Sequence, residues 1–245
     1  MLHESFLSIP FAHRGLWDAD RPENTMAAAQ AAVDSGFGIE VDLQLSKDDQ
    51  AMVFHDDTVD RLTSEIGWVQ SYTAEELGQM SILESDQTIR ALPELLKIVD
   101  GRVPLLLELK DPTARPGGIL GPLETRVMRD LSTYVGPVAV MSFHPGVVKN
   151  LARMAPAVPR GLVGQQFDPE EVGQETADAL NDYASFEDSG CCFISHNWRD
   201  LGMPAVARLK EQGVPILCWT TRAPVEGIFA KKIADNVTFE GYLPT

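Results

Sequence analysis

The sequence is poor in basic residues, in cysteine and in long apolar runs. Its 245 residues include 20 Lys and Arg against 36 Asp and Glu, a formal net charge of −16. This balance argues against duplex nucleic acid as a partner, because that surface requires a basic footprint. The three cysteines form no CxxC pair and no metal-ligand spacing, which excludes a disulfide scaffold. No apolar run reaches the ~18 residues of a membrane span, so we expect no integral membrane segment.

The compartment is predicted from two further absences. The first 15 residues contain neither the basic region nor the apolar region of a secretory signal. Cysteines that match no disulfide or metal pattern suit buried positions in a protein of a reducing compartment. We therefore expect a cytoplasmic protein, and the sequence gives no indication of its oligomeric state.

Eight short apolar segments are typical of β-strands, and most are followed by a helical pattern. The predicted strands begin at Phe11, Gly38, Val103, Val138, Arg160, Cys191, Val214 and Asn236. Strands that alternate with helices predict a parallel sheet, and eight of them in a chain of this size favour the α/β class with a single (β/α)₈ barrel over residues 1–245. An open, doubly wound sheet is the alternative. The first helix is expected to be capped by Asn24 and to end at Gly36.

One gap between predicted strands is unusually long. The second and third strands begin 65 residues apart, at Gly38 and Val103, whereas most other starts lie 22 to 35 residues apart. Long connections of this kind are usually functional or form a small subdomain. We expect an insertion of about residues 57–90 over the mouth of the barrel, after an extended stretch at residues 50–57.

Three acidic residues fall on two predicted strands of the barrel. Glu40 and Asp42 share one face because strand side chains alternate, and Glu108 lies on the third strand. Three carboxylates that converge in a partly dry site cannot all stay ionised without a counter-charge. A hard divalent cation, Mg²⁺ or Ca²⁺, would supply it through oxygen ligands. Salt bridges with Arg14 and Lys110 are the alternative.

Basic residues and histidines are predicted at the same mouth. His13 and Arg14 end the first strand, Lys110 shares a face with Glu108, and His55 follows the extended stretch, which we expect to run beside the first strand in the barrel. Arg and Lys beside a metal suit a phosphodiester anion. Two histidines suit general acid–base catalysis near neutral pH. His196, at the end of the sixth strand, is a weaker candidate.

Five motifs occur along the first half of the chain in a specific order. They are AHRG at 12–15, RPENT at 21–25, EVD at 40–42, HD at 55–56 and ELK at 108–110. In this order they resemble the glycerophosphodiester phosphodiesterase family. The resemblance implies a (β/α)₈ barrel with a small insertion after the second strand. It also implies hydrolysis of small-molecule glycerophosphodiesters to sn-glycerol 3-phosphate and an alcohol such as choline or ethanolamine.

The resemblance implies a role for eight residues. The catalytic pair would be His13 and His55. The other six would bind one divalent cation, at Glu40, Asp42 and Glu108, or the substrate, at Arg14, Lys110 and Trp219. Glu23 and Asn24 would support the site. The motifs do not decide between Mg²⁺ and Ca²⁺, between the histidines as acid and base, or between water and the glycerol 2-hydroxyl as nucleophile.

Two departures from the family pattern occur late in the chain. Thr221 and Arg222 stand where relatives often have a hydrophobic residue followed by Asn. Glu240 follows Thr238 and Phe239 where a Thr-Asp pair is common. These differences leave the alcohol group of the substrate open.

Three other functions compete with the main interpretation. A lysophospholipase D-like enzyme would need a wide apolar rim on the insertion, for which Trp68, Val69 and Tyr72 are the candidates. A phosphodiester-binding barrel without turnover would not need both histidines and all three acids. A metal-dependent aldolase or isomerase on the same fold would leave the HRG and HD motifs unexplained.

Overall fold

Eight parallel strands form a closed barrel in the computed structural model, which describes residues 1–83, 85–114 and 117–244. The barrel strands are β1 (Phe11–His13), β2 (Gly38–Leu45), β4 (Leu105–Leu109), β5 (Val138–Ser142), β6 (Arg160–Gly164), β7 (Phe193–Asn197), β8 (Ile216–Thr221) and β9 (Asn236–Phe239). The first strand pairs with both β2 and β9, which closes the ring. The predicted (β/α)₈ barrel is confirmed, and the open sheet is excluded because β1 has two neighbours.

The remaining strand lies at the edge of the ring. β3 (Ala51–Val53) runs antiparallel to the end of β2, with Leu43 opposite Val53. The residue before His55 therefore returns alongside Asp42, and the Phe54 amide donates to the Asp42 carbonyl at 3.0 Å. The expectation that His55 follows a strand of the barrel itself is wrong. His55 follows β3, which lies outside the ring and runs antiparallel to β2, and this places His55 at the mouth.

The helices surround the barrel in the order that the connections dictate. They are α1 (Ser5–Ser8), α2 (Met26–Asp34), α3 (Ala74–Leu77), α4 (Leu92–Val99), α5 (Pro122–Leu131), α6 (Pro145–Met154), α7 (Pro169–Val172), α8 (Gln174–Asn181), α9 (Pro204–Glu211) and α10 (Pro224–Ala230). The cap predicted for α2 is wrong by one residue. Thr25 Oγ1 accepts from the Ala28 amide at 3.2 Å, whereas the side chain of Asn24 is used elsewhere.

The run of leucines in β4 shows how the barrel divides apolar from polar surface. Leu105, Leu107 and Leu109 pack outward in the cluster shared with the helices. Leu106 points inward to an apolar layer, and Glu108 follows on the same inner face. A strand of a parallel sheet is buried on both faces, which explains the nearly continuous apolar run. In β4 the one charged side chain, that of Glu108, thus lies near the carboxyl end of the strand.

The amino-terminal end of the barrel is closed by apolar side chains. Phe6 of α1 is fully buried and its ring lies 5.4 Å from that of Phe11. Asn236 of β9 fixes this segment by donating to the carbonyls of Phe6 and Ile9 at 2.8 and 2.7 Å. The interior is therefore open to solvent mainly at the opposite, carboxyl end.

Residues of β3 and of the segment that follows it form a hydrophobic cluster of their own. Its buried members are Met52, Phe54, Val59, Leu62, Val69, Leu77, Met80, Ile82 and Ile89. Thr73 caps α3 through a capping box with Glu76. The extent of the predicted insertion, about residues 57–90, stays a prediction. Within the described residues, no helix has both the length and the apolar character needed to cross a membrane.

Candidate active site

A cavity of about 230 Å³ lies at the carboxyl ends of the barrel strands. Its lining includes all eight residues singled out in the sequence, namely His13, Arg14, Glu40, Asp42, His55, Glu108, Lys110 and Trp219. The barrel brings them together from four strands and three connections, although they are spread over more than 200 positions of the chain. An adjoining cavity of about 390 Å³ shares His55, Glu108 and Lys110 with it.

Three buried carboxylates form one cluster in this cavity. Asp42 and Glu108 are direct partners in the register of β2 and β4, and Glu40 is two residues earlier on the same face. One oxygen of each carboxylate lies within 4.8 Å of the other two. The cluster of Glu40, Asp42 and Glu108 could hold a metal ion, because hard divalent cations bind several such oxygens at once.

Two of these carboxylates already have cationic partners. Lys110 Nζ lies 2.7 Å from Asp42 Oδ1 and also contacts Glu108 Oε1, and Arg14 Nε lies 3.3 Å from Asp42 Oδ2. Burial alone would raise the pKa of Asp42, but Lys110, His55 and Arg14 outweigh it and hold that pKa well below its ordinary value. The salt bridges proposed as an alternative to the metal are therefore formed by Asp42 and Glu108.

Glu40 is the exception within the cluster. Its carboxylate accepts one long hydrogen bond, from the Arg14 amide at 3.3 Å. Burial, followed by the nearby charges of Asp42 and Glu108, raises the pKa of Glu40 well above its ordinary value. A buried carboxylate without a full counter-charge, in a donor set made only of oxygens, fits a hard divalent cation.

The HRG motif forms a tight turn at the end of β1. Arg14 and Gly15 both have left-handed backbone conformations, with φ of 58° and 82°. A Cβ at Gly15 would lie 2.9 Å from the backbone of Ala28, so a larger residue would displace α2. The turn directs the Arg14 side chain into the cavity, which explains why glycine follows it.

The PENT motif holds two residues of the site in place. Glu23 Oε1 accepts from Arg14 Nη1 at 2.7 Å. Asn24 donates to Asp42 Oδ2 at 2.9 Å and accepts from the Asp42 amide at 3.3 Å. The supporting role of Glu23 and Asn24 stays a prediction, and these contacts are its structural basis.

His55 is held by a carboxylate that is itself bound to an arginine. His55 Nδ1 lies 2.6 Å from Asp56 Oδ1. Arg61 donates from Nε to Asp56 Oδ2 at 2.6 Å and from Nη2 to Glu23 Oε1 at 2.7 Å. Burial would raise the pKa of Asp56, but His55 and Arg61 outweigh it and keep that pKa well below its usual range.

His13 is also held by a carboxylate that is bound to an arginine, and here both partners come from the carboxyl-terminal part of the chain. His13 Nδ1 lies 2.5 Å from Glu240 Oε2, and Glu240 Oε1 accepts from Arg222 Nε. Burial would raise the pKa of Glu240, but His13 and Arg222 lower it overall. Since Nδ1 of each histidine is engaged by a carboxylate, Nε2 is the ring nitrogen that remains for chemistry in the cavity.

Four residues of the site were not among those predicted from the sequence. Arg61 and Arg222 each bind the carboxylate behind a histidine, and Asp56 and Glu240 are those carboxylates. The signal for Glu240 was its position directly after the last strand, two residues beyond Thr238, which lines the cavity. Asp56 lies in the HD motif itself, whereas no periodic signal pointed to Arg61.

The aromatic residues of the cavity lie beside β8. Trp219 Nε1 donates to the Ser195 carbonyl at 3.0 Å, and its ring packs edge-on against Phe143 with centroids 5.5 Å apart. Of the three residues considered for an apolar rim, Val69 is buried in the cluster of the insertion and Tyr72 packs against it. These two residues therefore give no apolar rim to the mouth.

His196 lies outside the cavity. Phe193 of β7 points to the interior, so His196, three residues later, points outward to the helices. It is fully buried and its Nδ1 lies 2.6 Å from the hydroxyl of Tyr183. Desolvation lowers the pKa of His196 to about 4.

A buried neutral histidine makes stability depend on pH. The folded protein binds this proton less readily than the unfolded chain, so the contribution of His196 is complete above about pH 6.5 and is lost as the pH falls towards 4. We expect His196→Gln, which keeps a hydrogen-bonding group near Tyr183, to reduce this loss by up to about 3 kcal/mol. Urea unfolding of both proteins from pH 7.5 to 4.5 measures it. If the free energy of unfolding changed with pH in the same way in both proteins, His196 would take up its proton in the folded state as readily as in the unfolded chain.

The comparison with known proteins identifies relatives along nearly the whole chain. The model of the glycerophosphoryl diester phosphodiesterase family matches residues 13–240. The protein YhdW of Bacillus subtilis is 28% identical over 85% of this chain and 84% of that protein. A glycerophosphodiester phosphodiesterase of Bacillus altitudinis is 36% identical over 60% of this chain and 63% of that protein.

A solved structure has the same fold. The phosphodiesterase of Oleispira antarctica, in complex with the product sn-glycerol-3-phosphate, superposes with a TM-score of 0.79. The match covers 96% of this chain and 94% of that chain at 21% sequence identity. At this identity the likeness concerns the fold.

Proposed function

Because the chain belongs to the glycerophosphoryl diester phosphodiesterase family, we propose that it hydrolyses glycerophosphodiesters to sn-glycerol 3-phosphate and an alcohol, with a bound metal and a pair of histidines. The observation that carries this proposal is the cavity in which two carboxylate-held histidines, His13 and His55, accompany a cluster of three carboxylates and two cations. The names of the relatives and the product bound by the Oleispira antarctica enzyme support the same substrate class.

Glu40, Asp42 and Glu108 would hold one divalent cation, Mg²⁺ or Ca²⁺. When bound, such a cation acts as a Lewis acid towards phosphoryl oxygens. The uncompensated charge of Glu40 supports the assignment, since of the three clustered carboxylates only Asp42 and Glu108 form salt bridges with the described residues. The two proposed roles of Lys110, neutralising carboxylates and binding phosphate, coexist on one side chain because its ammonium has three donors.

Arg14 and Lys110 would bind the phosphate group and stabilise the charge that develops on it. Glu23 fixes the guanidinium of Arg14 from behind, and Asp42 together with Glu108 fixes the ammonium of Lys110. Donors that are oriented before the substrate arrives need no reorganisation when the charge develops. Trp219 would pack against the substrate at the wall of the cavity.

His13 and His55 would move the protons of the reaction. Nε2 of the neutral imidazole accepts the proton of the attacking hydroxyl as the new P–O bond forms. Nε2 of the protonated imidazole donates its proton to the departing alkoxide oxygen as the old P–O bond breaks. The carboxylates at Nδ1, Glu240 and Asp56, orient the rings and stabilise the imidazolium form.

A coupled assay for released glycerol phosphate tests the function. The substrates are glycerophosphocholine, glycerophosphoethanolamine and glycerophosphoserine, each with and without added Mg²⁺ or Ca²⁺. Release of sn-glycerol 3-phosphate that depends on the cation is the expected result. A folded protein that binds the cation but releases glycerol phosphate from none of the three substrates would show that the proposal is wrong.

The planar fork of Arg14 leads to a specific prediction. Arg14→Lys keeps the positive charge but loses bidentate recognition of phosphate oxygens and the bond to Glu23. We expect kcat/KM to fall by about 10- to 100-fold, which corresponds to one or two charge-assisted hydrogen bonds. Arg21→Lys is the matched control, because Arg21 pairs with Asp18 at the surface and does not line the cavity. Equal kinetics of the two variants would remove Arg14 from phosphate recognition.

We also propose that the insertion of about residues 57–90 lies over the barrel mouth. Arg61, which belongs to it, supports this position by binding Glu23 and Asp56 at the site. A cytoplasmic location is proposed on the ground that Cys191, Cys192 and Cys218 are all free thiols.

A further inference from the structure

Arg222 is a cation of the cavity wall that the proposed chemistry does not use. It lines the same cavity as the catalytic residues, and its side chain is 53% exposed. By contrast, Arg14 and Lys110 are largely buried and are engaged by carboxylates of the cluster. Arg222 is therefore the accessible one of these three cations.

Only one edge of the Arg222 guanidinium is engaged. Nε donates to Glu240, and the Arg222 backbone amide donates to Glu226 at 2.6 Å. Among the described residues, Nη1 and Nη2 have no hydrogen-bond partner. This pair of parallel N–H donors has the geometry that binds a carboxylate in bidentate fashion.

Arg222 pairs with Glu240 through Nε, but its Nη edge stays available for a second anionic group, because the rest of the site needs no further cation. Three carboxylates face Arg14 and Lys110, which leaves one negative charge, and a divalent cation turns it into one positive charge. A phosphodiester carries a single negative charge, so it neutralises this one positive charge without a contribution from Arg222. Glu240, beside Arg222, would repel a phosphate dianion more strongly than a carboxylate, so the wall favours a singly charged group.

We propose that Arg222 is a specificity-determining residue that favours glycerophosphodiesters whose alcohol carries a carboxylate. This inference rests on the proposed function, since it concerns the alcohol part of the same substrate. The carboxylate of the substrate would bind beside Arg222. This is the side of the cavity where His13 lies, because Glu240 pairs with both residues.

Two substrates that differ by one carboxylate test the proposal. Glycerophosphoserine is glycerophosphoethanolamine with an added carboxylate, so their ratio of kcat/KM isolates that group. We expect the wild-type protein to favour the serine compound by about five- to tenfold, as suits a charge-assisted contact at a partly exposed site. Arg222→Gln should bring the ratio close to one, and Arg222→Lys should give an intermediate ratio.

Arg199→Gln provides the matched control. Arg199 is also an arginine after the carboxyl end of a barrel strand, but it stacks on Trp198 and does not line the cavity. The ratio of kcat/KM for the two substrates should be the same in Arg199→Gln as in the wild-type protein. A ratio that is the same in the wild-type and Arg222→Gln proteins would overturn the proposal.

A binding measurement separates this inference from the proposed function. Calorimetry with cation-loaded His55→Ala protein gives the Kd of each intact compound, and the same ratio should appear there and vanish when Arg222→Gln is added. If the wild-type protein releases no glycerol phosphate, the proposed function fails, while equal Kd values with Arg222 present would overturn the role of Arg222.

Discussion

Removal of the divalent cation is expected to abolish the release of glycerol phosphate, by about 10³-fold or more, because Lewis-acid stabilisation contributes several kcal/mol to such reactions. Dialysis against a chelator, followed by the coupled assay, measures the loss. Added Mg²⁺ or Ca²⁺ should restore activity. Full activity in exhaustively chelated protein that contains no metal would show that Glu40, Asp42 and Glu108 do not bind a catalytic cation.

The protonation of Glu40 gives this prediction a second, independent measurement. The raised pKa of Glu40 means that its carboxyl holds a proton more readily than usual before the cation binds. Cation binding should therefore release protons, and the apparent affinity should rise with pH. Calorimetric titration of the apo protein in two buffers of different ionisation enthalpy counts those protons. Glu40→Gln should remove this release, and Glu108→Gln should weaken the affinity because one ligand charge is lost.

Loss of His13 or of His55 is expected to lower kcat by at least about 10²-fold, the usual contribution of a positioned acid or base. Since the proposed mechanism has His13 and His55 act on the same phosphoryl group, the double variant should lose less than the product of the single losses. The Kd of the substrate should change little in the single variants if, as proposed, Arg14 and Lys110 bind the phosphate. Steady-state kinetics of His13→Ala, His55→Ala and the double variant, with metal bound, give these quantities.

His144→Asn is the matched control for the histidine pair. His144 lies at the carboxyl end of the barrel but outside the cavity, where its Nδ1 accepts from the Gly146 amide as the cap of α6. Asn retains a capping acceptor, so the helix should be preserved. Near-normal kcat in either His13→Ala or His55→Ala would make that histidine a structural residue and contradict the paired mechanism.

The fold could be predicted because its signals are local. Most barrel strands are apolar runs that begin at a glycine or directly after a proline, and those runs persist in the structure, most of them with shortened ends. Pro104 and Pro215 illustrate the shortening, since the predicted strands begin one residue before them and the observed strands begin one residue after them. Proline donates no amide hydrogen to a ladder, so the regular strand starts beyond it.

The site was only partly predictable, because some of its contacts depend on the closed barrel. Strand alternation places Glu40 and Asp42 on one face without knowledge of the fold. The Arg222 and Glu240 positions, by contrast, looked like two unrelated departures from the family pattern. The structure brings them into one ion pair behind His13, a relation that no local pattern of the sequence contains. Asn24 was predicted to cap α2, but Thr25, one residue later, is an equally good cap and takes that position. The side chain of Asn24 is therefore free to bind Asp42.

The closure of the barrel between β1 and β9 also has a consequence for the order of events during synthesis. His13 and Glu240 are 227 residues apart in the chain, so their contact has nearly the longest range that this protein allows. The carboxylate cluster, from Glu40 to Glu108, can assemble once the first half has emerged, whereas His13 obtains its partner only when the last strand docks. A nascent chain can therefore assemble its cluster of three carboxylates well before it becomes a competent enzyme.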